Sequence, residues 1–183
     1  MLSKSDFRKK SILKRMSLKK DTIKQKSLNI TNKIIKSHIL DDKKNIFIYI
    51  DFKNEVKTKY LIEYLLMKNK NIYVPITILE TKELKVCKLE DIKDLEISTY
   101  GIKEPKKDKQ IIVDKNILDV IIVPGVAFDK EYYRMGYGGG YYDKFFASLE
   151  NTPLKIGIAF KEQIHEQIPK EEHDIKMDYL FYD

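Results

Sequence analysis

The chain is poor in the residues that most readily announce a function. Its 183 residues hold one cysteine, Cys87, which excludes an internal disulfide and any cysteine-rich zinc site and fits a reducing compartment. The three histidines, His38, His165 and His173, have no spacing that would gather them on one metal, and each reads as a surface or hydrogen-bonding residue. Apolar runs are short, and none approaches the roughly 18 residues that a membrane-spanning helix needs. The opening MLSKSDFRKK is charged, so neither a signal peptide nor a membrane anchor is expected and the cytoplasm is the expected location. Glycine is scarce, with seven in all. No internal repeat or low-complexity linker interrupts the chain, and a hydrophobic content of 43% supports one substantial core. A single domain over residues 1–183 is therefore expected.

Positive charge is abundant and unevenly placed. The formal net charge is +7, and residues 1–26 carry ten Lys or Arg against Asp6 and Asp21 alone. Such a segment suits a polyphosphate ligand, an acidic membrane surface or nucleic acid. Most of its lysines read as a solvated helix face. Ser3 suits the N-cap of a first helix with Phe7 and Leu13 among its apolar positions. Ser17 suits the cap of a second, in which Ile23, Ile30 and Ile34 recur at helical spacing.

Two basic helices thus open the chain, and alternating elements follow. NIFIYI at 45–50 reads as a buried strand with a turn after it, and residues 55–70 as a helix with Val56, Tyr60, Tyr64 and Met67 on one face. Residues 71–78 return to strand character around Pro75. Residues 84–89 alternate as an exposed or edge strand, and 103–109 form a charged loop around Pro105. Strands at 120–123, 154–160 and 178–181 and a helix at 141–149 complete the pattern. It predicts a three-layer α/β/α sandwich with a mainly parallel sheet. Ligands then gather at the carboxyl ends of the strands, where the loops after Ile50, Val123 and Phe160 would converge.

One stretch concentrates chemistry. RMGYGGGYYD at 134–143 holds four of the seven glycines beside Arg134, three tyrosines and Asp143. Glycines let the backbone approach a ligand, and successive N–H groups aimed at one point cradle an anion. Arg134 adds a forked charge suited to phosphate oxygens, and the following helix would present its N-terminus to the same anion. A nucleotide-phosphate loop explains this set better than a chain reversal.

The stretch VPGVAFDKEYYRMGYGGGYYDKFF at 123–146 resembles the signature of the 5-formyltetrahydrofolate cyclo-ligase family, also called methenyltetrahydrofolate synthetases. GIKEP at 101–105, AFKEQI at 159–164 and EHDIKMD at 172–178 follow in the order this family shows. Lys4 and Arg8, with Phe7 between them, resemble its short basic ATP-contacting motif. Only 81–100 has little to match. The resemblance implies ATP- and Mg2+-dependent closure of 5-formyltetrahydrofolate to 5,10-methenyltetrahydrofolate, with release of ADP and phosphate. It places ATP on Lys4, Arg8, Arg134, Met135, Gly136, Tyr137, Gly138, Gly139, Gly140, Tyr141 and Tyr142. Folate falls on Ile50, Glu55 and the same loop from Tyr137 to Tyr141, with Arg134 and Tyr141 as catalytic residues. Asp143 and Asp174 match magnesium-associated aspartates, which suits a cation that prefers hard carboxylate oxygens. Asp178 competes with Asp174 for that role, and Asp143 also reads as a helix-terminus carboxylate. Glu55 also reads as a helix-start charge, though folate contact is favoured, and Ile50 reads equally as core. Tyr141 is the ring expected to stack on folate, with Tyr142 facing elsewhere. Met135 stands where the family commonly has leucine, and Tyr132 and Tyr133 occupy a place that often holds a small or glycine-containing turn. A monomer acting on two small-molecule substrates, without membrane or nucleic acid, is expected. The alternatives are another ATP-using ligase or phosphotransferase on this scaffold, and a nucleic-acid module using the basic opening segment.

Overall fold

The computed structural model describes residues 3–98, 101–171 and 174–183. Seven strands make the central sheet: β1 (Asn45–Ile48), β2 (Asn71–Ile78), β3 (Glu83–Leu89), β4 (Ile111–Val113), β5 (Val120–Val123), β6 (Leu154–Ala159) and β7 (Tyr179–Tyr182). Their spatial order is β7-β6-β5-β1-β2-β3-β4. The five strands from β7 to β2 run parallel, β3 pairs antiparallel with β2, and β4 antiparallel with β3. The expected mainly parallel sheet is present.

Strand periodicity sends alternate residues to opposite faces. Ile46 and Ile48 join Val120 and Ile122 in one apolar cluster, while Phe47 joins Ile121 and Val123 in the other. Helices α2 (Lys20–Lys36) and α3 (Lys59–Met67) cover the first face with Ile23, Ile30 and Ile34 and with Leu61, Ile62 and Leu65. Helix α4 (Tyr141–Ala147) covers the second, where Phe145 stacks on Phe47 with ring centroids 5.1 Å apart. Burial on both faces accounts for strands that read as continuous apolar runs.

Helix α1 (Lys4–Met16) departs from this pattern, because its buried residues are Ser11 and Arg15 rather than an apolar stripe. Ser3 caps it by accepting from the Asp6 N–H at 3.1 Å, as expected. Leu13, expected to be apolar-facing, is 70% exposed. Ser17 does not cap α2. Its hydroxyl donates back to the Lys14 carbonyl at 2.8 Å and closes α1, so α2 has Lys19 at its N-cap position and no side-chain cap. The third helix begins four residues later than the periodicity predicts, and Met67 points out at 75% exposure. Asp51 explains the delay: it accepts from the Thr58 N–H at 3.2 Å and holds the preceding residues as a loop.

Two further expectations fail at the far side of the sheet. Residues 84–89 are not an edge, since β4 lies beyond them, and a strand of three residues is too short for a periodic signal. Lys103–Pro105, read as loop, pairs with Leu95–Ile97 in a two-stranded ribbon. A small sheet of Ala127–Asp129, Arg134–Met135 and Ile164–His165 sits beside the glycine-rich stretch. Tyr132 takes the left-handed conformation, φ 72°, at its turn, a position that favours glycine.

Central burial predicts the cost of a cavity. Ile122→Ala is expected to lower stability by about 2–5 kcal/mol, read as a lower urea midpoint with unchanged slope.

Candidate active site

At the carboxyl ends of β1, β2 and β5 lies a cleft of about 920 Å³; the loop directly after Phe160, expected to join them, does not line it. The loops after β1 and β5 converge here as the parallel topology requires. Every residue assigned to ATP, folate or metal from the sequence lines this one hollow: Lys4, Arg8, Ile50, Glu55, the whole of 134–143, and Asp174.

The chain has 35 Lys and Arg, and only three of them are arginine: Arg8, Arg15 and Arg134. All three converge on the glycine-rich stretch. The Arg8 Nε donates to the Gly136 carbonyl at 2.9 Å, and Arg134 Nη2 donates to Asp143 Oδ1 at 2.6 Å. The guanidinium of Arg134 also lies over the Tyr142 ring, 5.5 Å from its centroid. Arg15 was not anticipated. Its signal was available as an arginine in a lysine-dominated segment, on the same helical face as Lys4 and Arg8.

Two glycines in the stretch, Gly138 and Gly140, have φ of 95° and 72°, where an L side chain is strained. A Cβ on Gly139 would stand 2.8 Å from the Tyr141 ring. Tyr141 and Tyr142 both border the cleft, contrary to the expectation that Tyr142 faces elsewhere. Tyr142 serves both sides: its ring packs on the second apolar cluster, and its buried hydroxyl has no hydrogen-bond partner among the described residues. Met135, 1% exposed, packs with Ala127 and Ile168, so a methionine of leucine-like volume fits there.

The cleft wall also holds a buried carboxylate, hydrogen-bonded to the glycine stretch itself. Glu55, 6% exposed, sits ahead of α3 and so is not a helix-start charge. Its Oε2 accepts from the Phe52 N–H at 2.8 Å and its Oε1 from the Tyr137 hydroxyl at 2.6 Å. Burial raises its pKa above the ordinary carboxylate value, while the Tyr137 hydrogen bond and the nearby Arg15 charge oppose the rise. Burial likewise pushes the Tyr137 hydroxyl well up, so it remains a donor. Ile50, 7% exposed, is both core and cleft wall. The turn between β2 and β3 supplies Ile78 and Leu79, braced by Glu104 of GIKEP, which accepts from the Thr77 N–H at 3.0 Å.

The family model described as the 5-formyltetrahydrofolate cyclo-ligase family matches residues 1–183. The chain belongs to the 5-formyltetrahydrofolate cyclo-ligase family. It is 37% identical over 137 residues to the 5-formyltetrahydrofolate cyclo-ligase of Haemophilus influenzae, covering 73% of each chain. It is 31% identical to the mouse 5-formyltetrahydrofolate cyclo-ligase, covering 87% of this chain and 83% of that one. The NMR structure of Aquifex aeolicus 5,10-methenyltetrahydrofolate synthetase superposes with a TM-score of 0.84 at 31% identity, over 99% of this chain and 90% of that one.

Within this cyclo-ligase fold the two aspartates assigned to magnesium border the cleft, each beside a cation. Asp143 bonds Arg134, and Asp174 Oδ2 accepts from Lys4 Nζ at 2.8 Å. Asp178 is held elsewhere, accepting from the Lys155 N–H at 2.7 Å, so it is Asp174 that borders the cleft. Among the described residues no three His, Cys, Asp or Glu side chains gather as a metal site. Two carboxylates do suit a cation that keeps several waters and takes its remaining oxygens from phosphate. Glu172 and His173 of the EHDIKMD motif lie outside the described residues.

The glycines separate steric from backbone constraint. Gly139→Ala is expected to displace the Tyr141 ring from the cleft wall, read as shifted Tyr141 ring resonances by NMR. Gly140→Ala has open space around its Cβ and is expected to cost about 1–2 kcal/mol through its positive φ, read by thermal unfolding.

Proposed function

We propose that the chain catalyses ATP- and Mg2+-dependent conversion of 5-formyltetrahydrofolate to 5,10-methenyltetrahydrofolate, releasing ADP and phosphate, and that residues 1–183 act as one catalytic unit and as a monomer. Among the described residues no helix is long and apolar enough to cross a membrane, and cytoplasmic action is part of this reading. One observation carries it: a single cleft joins a glycine stretch ringed by Lys4, Arg8 and Arg134 to the buried carboxylate of Glu55. A phosphate cradle alone would suit many ATP-using enzymes. The second set of groups, Glu55, Ile50 and Tyr141, supplies what a pterin needs: a carboxylate to accept paired N–H bonds and flat apolar walls. A nucleic-acid module is disfavoured because Arg8 and Arg15 turn inward to the cleft, while Lys9, Lys10 and Lys14 are exposed separately.

The chemistry requires a poor leaving group to become a good one. The formyl oxygen attacks the γ-phosphorus, the bond to the β–γ bridging oxygen breaks, and ADP leaves. The neighbouring folate amine then attacks the activated formyl carbon and gives up its proton to solvent, the five-membered ring closes, and phosphate departs with the former formyl oxygen. Most of the catalytic power lies in alignment and charge neutralisation. Arg134 and the backbone N–H groups of 136–140 hold the phosphates, with Arg8 and Lys4 closing from α1. Arg134 is aimed in advance by Asp143, so little reorganisation is left for the reacting complex. Asp143 and Asp174 would hold Mg2+, whose contribution is charge neutralisation at the phosphates. Tyr141 lies against the folate ring and excludes water from the activated carbon.

Purified protein given ATP, Mg2+ and 5-formyltetrahydrofolate is expected to generate the methenyl chromophore. Arg134→Ala and Asp143→Ala are expected to slow the reaction by about 10²-fold or more, and Lys19→Ala to leave it near wild type. A well-folded, magnesium-supplied protein that forms no chromophore would exclude this function.

A further inference from the structure

Arg15 is the most deeply buried cation among the described residues, 1% exposed on a helix whose other basic side chains face solvent or the cleft rim. Its Nη2 donates to the Tyr137 hydroxyl, and its Nη1 lies 3.8 Å from Glu55 Oε1 and 3.4 Å from the Gly125 carbonyl. The same guanidinium stands 5.4 Å from the Tyr137 ring centroid. Tyr137 in turn donates to Glu55 Oε1 at 2.6 Å. Three segments far apart in sequence, α1, the glycine stretch and the loop after β1, are thus joined by one polar chain. The Nε of Arg15 is buried without a partner among the described residues.

Stability does not account for this arrangement. A buried ion pair seldom surpasses well-packed apolar side chains of similar volume, and an orphaned N–H adds a desolvation cost. Sites that carry such costs are commonly functional. The group that Arg15 acts on is Glu55, which lines the cleft while Arg15 lies behind it, absent from the lining.

We infer that Arg15 is a positioning residue for the folate end of the cleft: it keeps Glu55 ionised and aims Tyr137, so that the carboxylate is presented ready to accept pterin N–H bonds. This rests on the folate reading given above. The charged and titratable groups facing Glu55 are Arg15 from α1, Tyr137 from the glycine stretch, Tyr142 from α4, and Tyr49 and Asp51 from its own segment. The one anion among them, Asp51, is paired with Lys57 at 2.8 Å. Arg15 is therefore the cation that sets the balance. The buried carboxylate takes a proton at higher pH than an exposed one, so folate binding fails as pH falls through that raised value. Removing Arg15 moves the failure further up.

The test compares wild type, Arg15→Met, Arg15→Lys, Glu55→Gln and Arg15→Met/Glu55→Gln, with KM for each substrate and kcat measured across pH. Arg15→Met is expected to raise the KM for 5-formyltetrahydrofolate about 10- to 100-fold with the KM for ATP nearly unchanged. The acidic limb for folate should move up by about one pH unit or more. Arg15→Lys should restore most of the limb, and adding Arg15→Met to Glu55→Gln should cost little more, because the carboxylate it serves is gone. Equal losses for both substrates, an unmoved limb, or full additivity in the double variant would overturn the inference. If Arg15→Met does not fold, Tyr137→Phe carries the test, with an upward limb shift expected and an unmoved limb contradicting it. Wild type that turns over no folate would instead defeat the functional reading, a distinguishable result.

Discussion

Polar anchoring of α1 governs the site. A helix of thirteen residues with only Ser11 and Arg15 buried has little apolar area with which to dock. It is held by the Arg8 bond to the Gly136 carbonyl, the Arg15 bonds to Tyr137 and Gly125, and the Lys4 pair with Asp174. Phe7, edge-on to His165 at 4.8 Å, adds the main apolar contact. Lys4, Arg8, Gly136, Tyr137 and Asp174 among these groups line the cleft, so the bonds that seat the helix also assemble the cleft wall.

The sheet makes that economy possible. Parallel strands bring the ends of β1, β5 and β6 to one rim, and the loops that follow carry Glu55, Gly125 and Gln163 to within reach of one another. Gln163 donates to the Gly125 carbonyl at 2.7 Å, the acceptor that Arg15 also approaches. The glycine-rich stretch then lies between the rim and α1, with its backbone exposed to ligand and its arginine fixed by Asp143. Two chemically distinct sets of groups share the cleft: the cations Lys4, Arg8 and Arg134 beside the glycines, and Glu55 with the Tyr137 and Tyr141 rings. The proposed phosphoryl transfer to a folate oxygen needs both sets of groups open to one space, and the cleft meets that condition.

Much of this was legible before any coordinates. NIFIYI and VIIV declare buried parallel strands because both faces are covered, and Ile23, Ile30 and Ile34 show their face because the rest of α2 is polar. Where the reading failed, a competing local bond or a short element was responsible. Ser17 closes one helix instead of opening the next, Asp51 delays α3, and β4 is only three residues long. Arg15 was hidden by company, one cation among ten in a basic segment, although its residue type set it apart from the lysines around it.

Local pattern alone therefore gives the long strands and helices in their order and the glycine stretch with Arg134, since periodicity and residue chemistry are properties of neighbours in the chain. Lys4, Arg8, Ile50, Glu55 and Asp174 are singled out instead by the family resemblance. Pairings across long separations could not be read that way. The links from Arg15 to Tyr137 and from Tyr137 to Glu55 span 122 and 82 residues, and the Lys4 pair that marks Asp174 at the cleft spans 170. Burial and charge balance at such places depend on which distant segments the fold brings together, and only packing in three dimensions sets that.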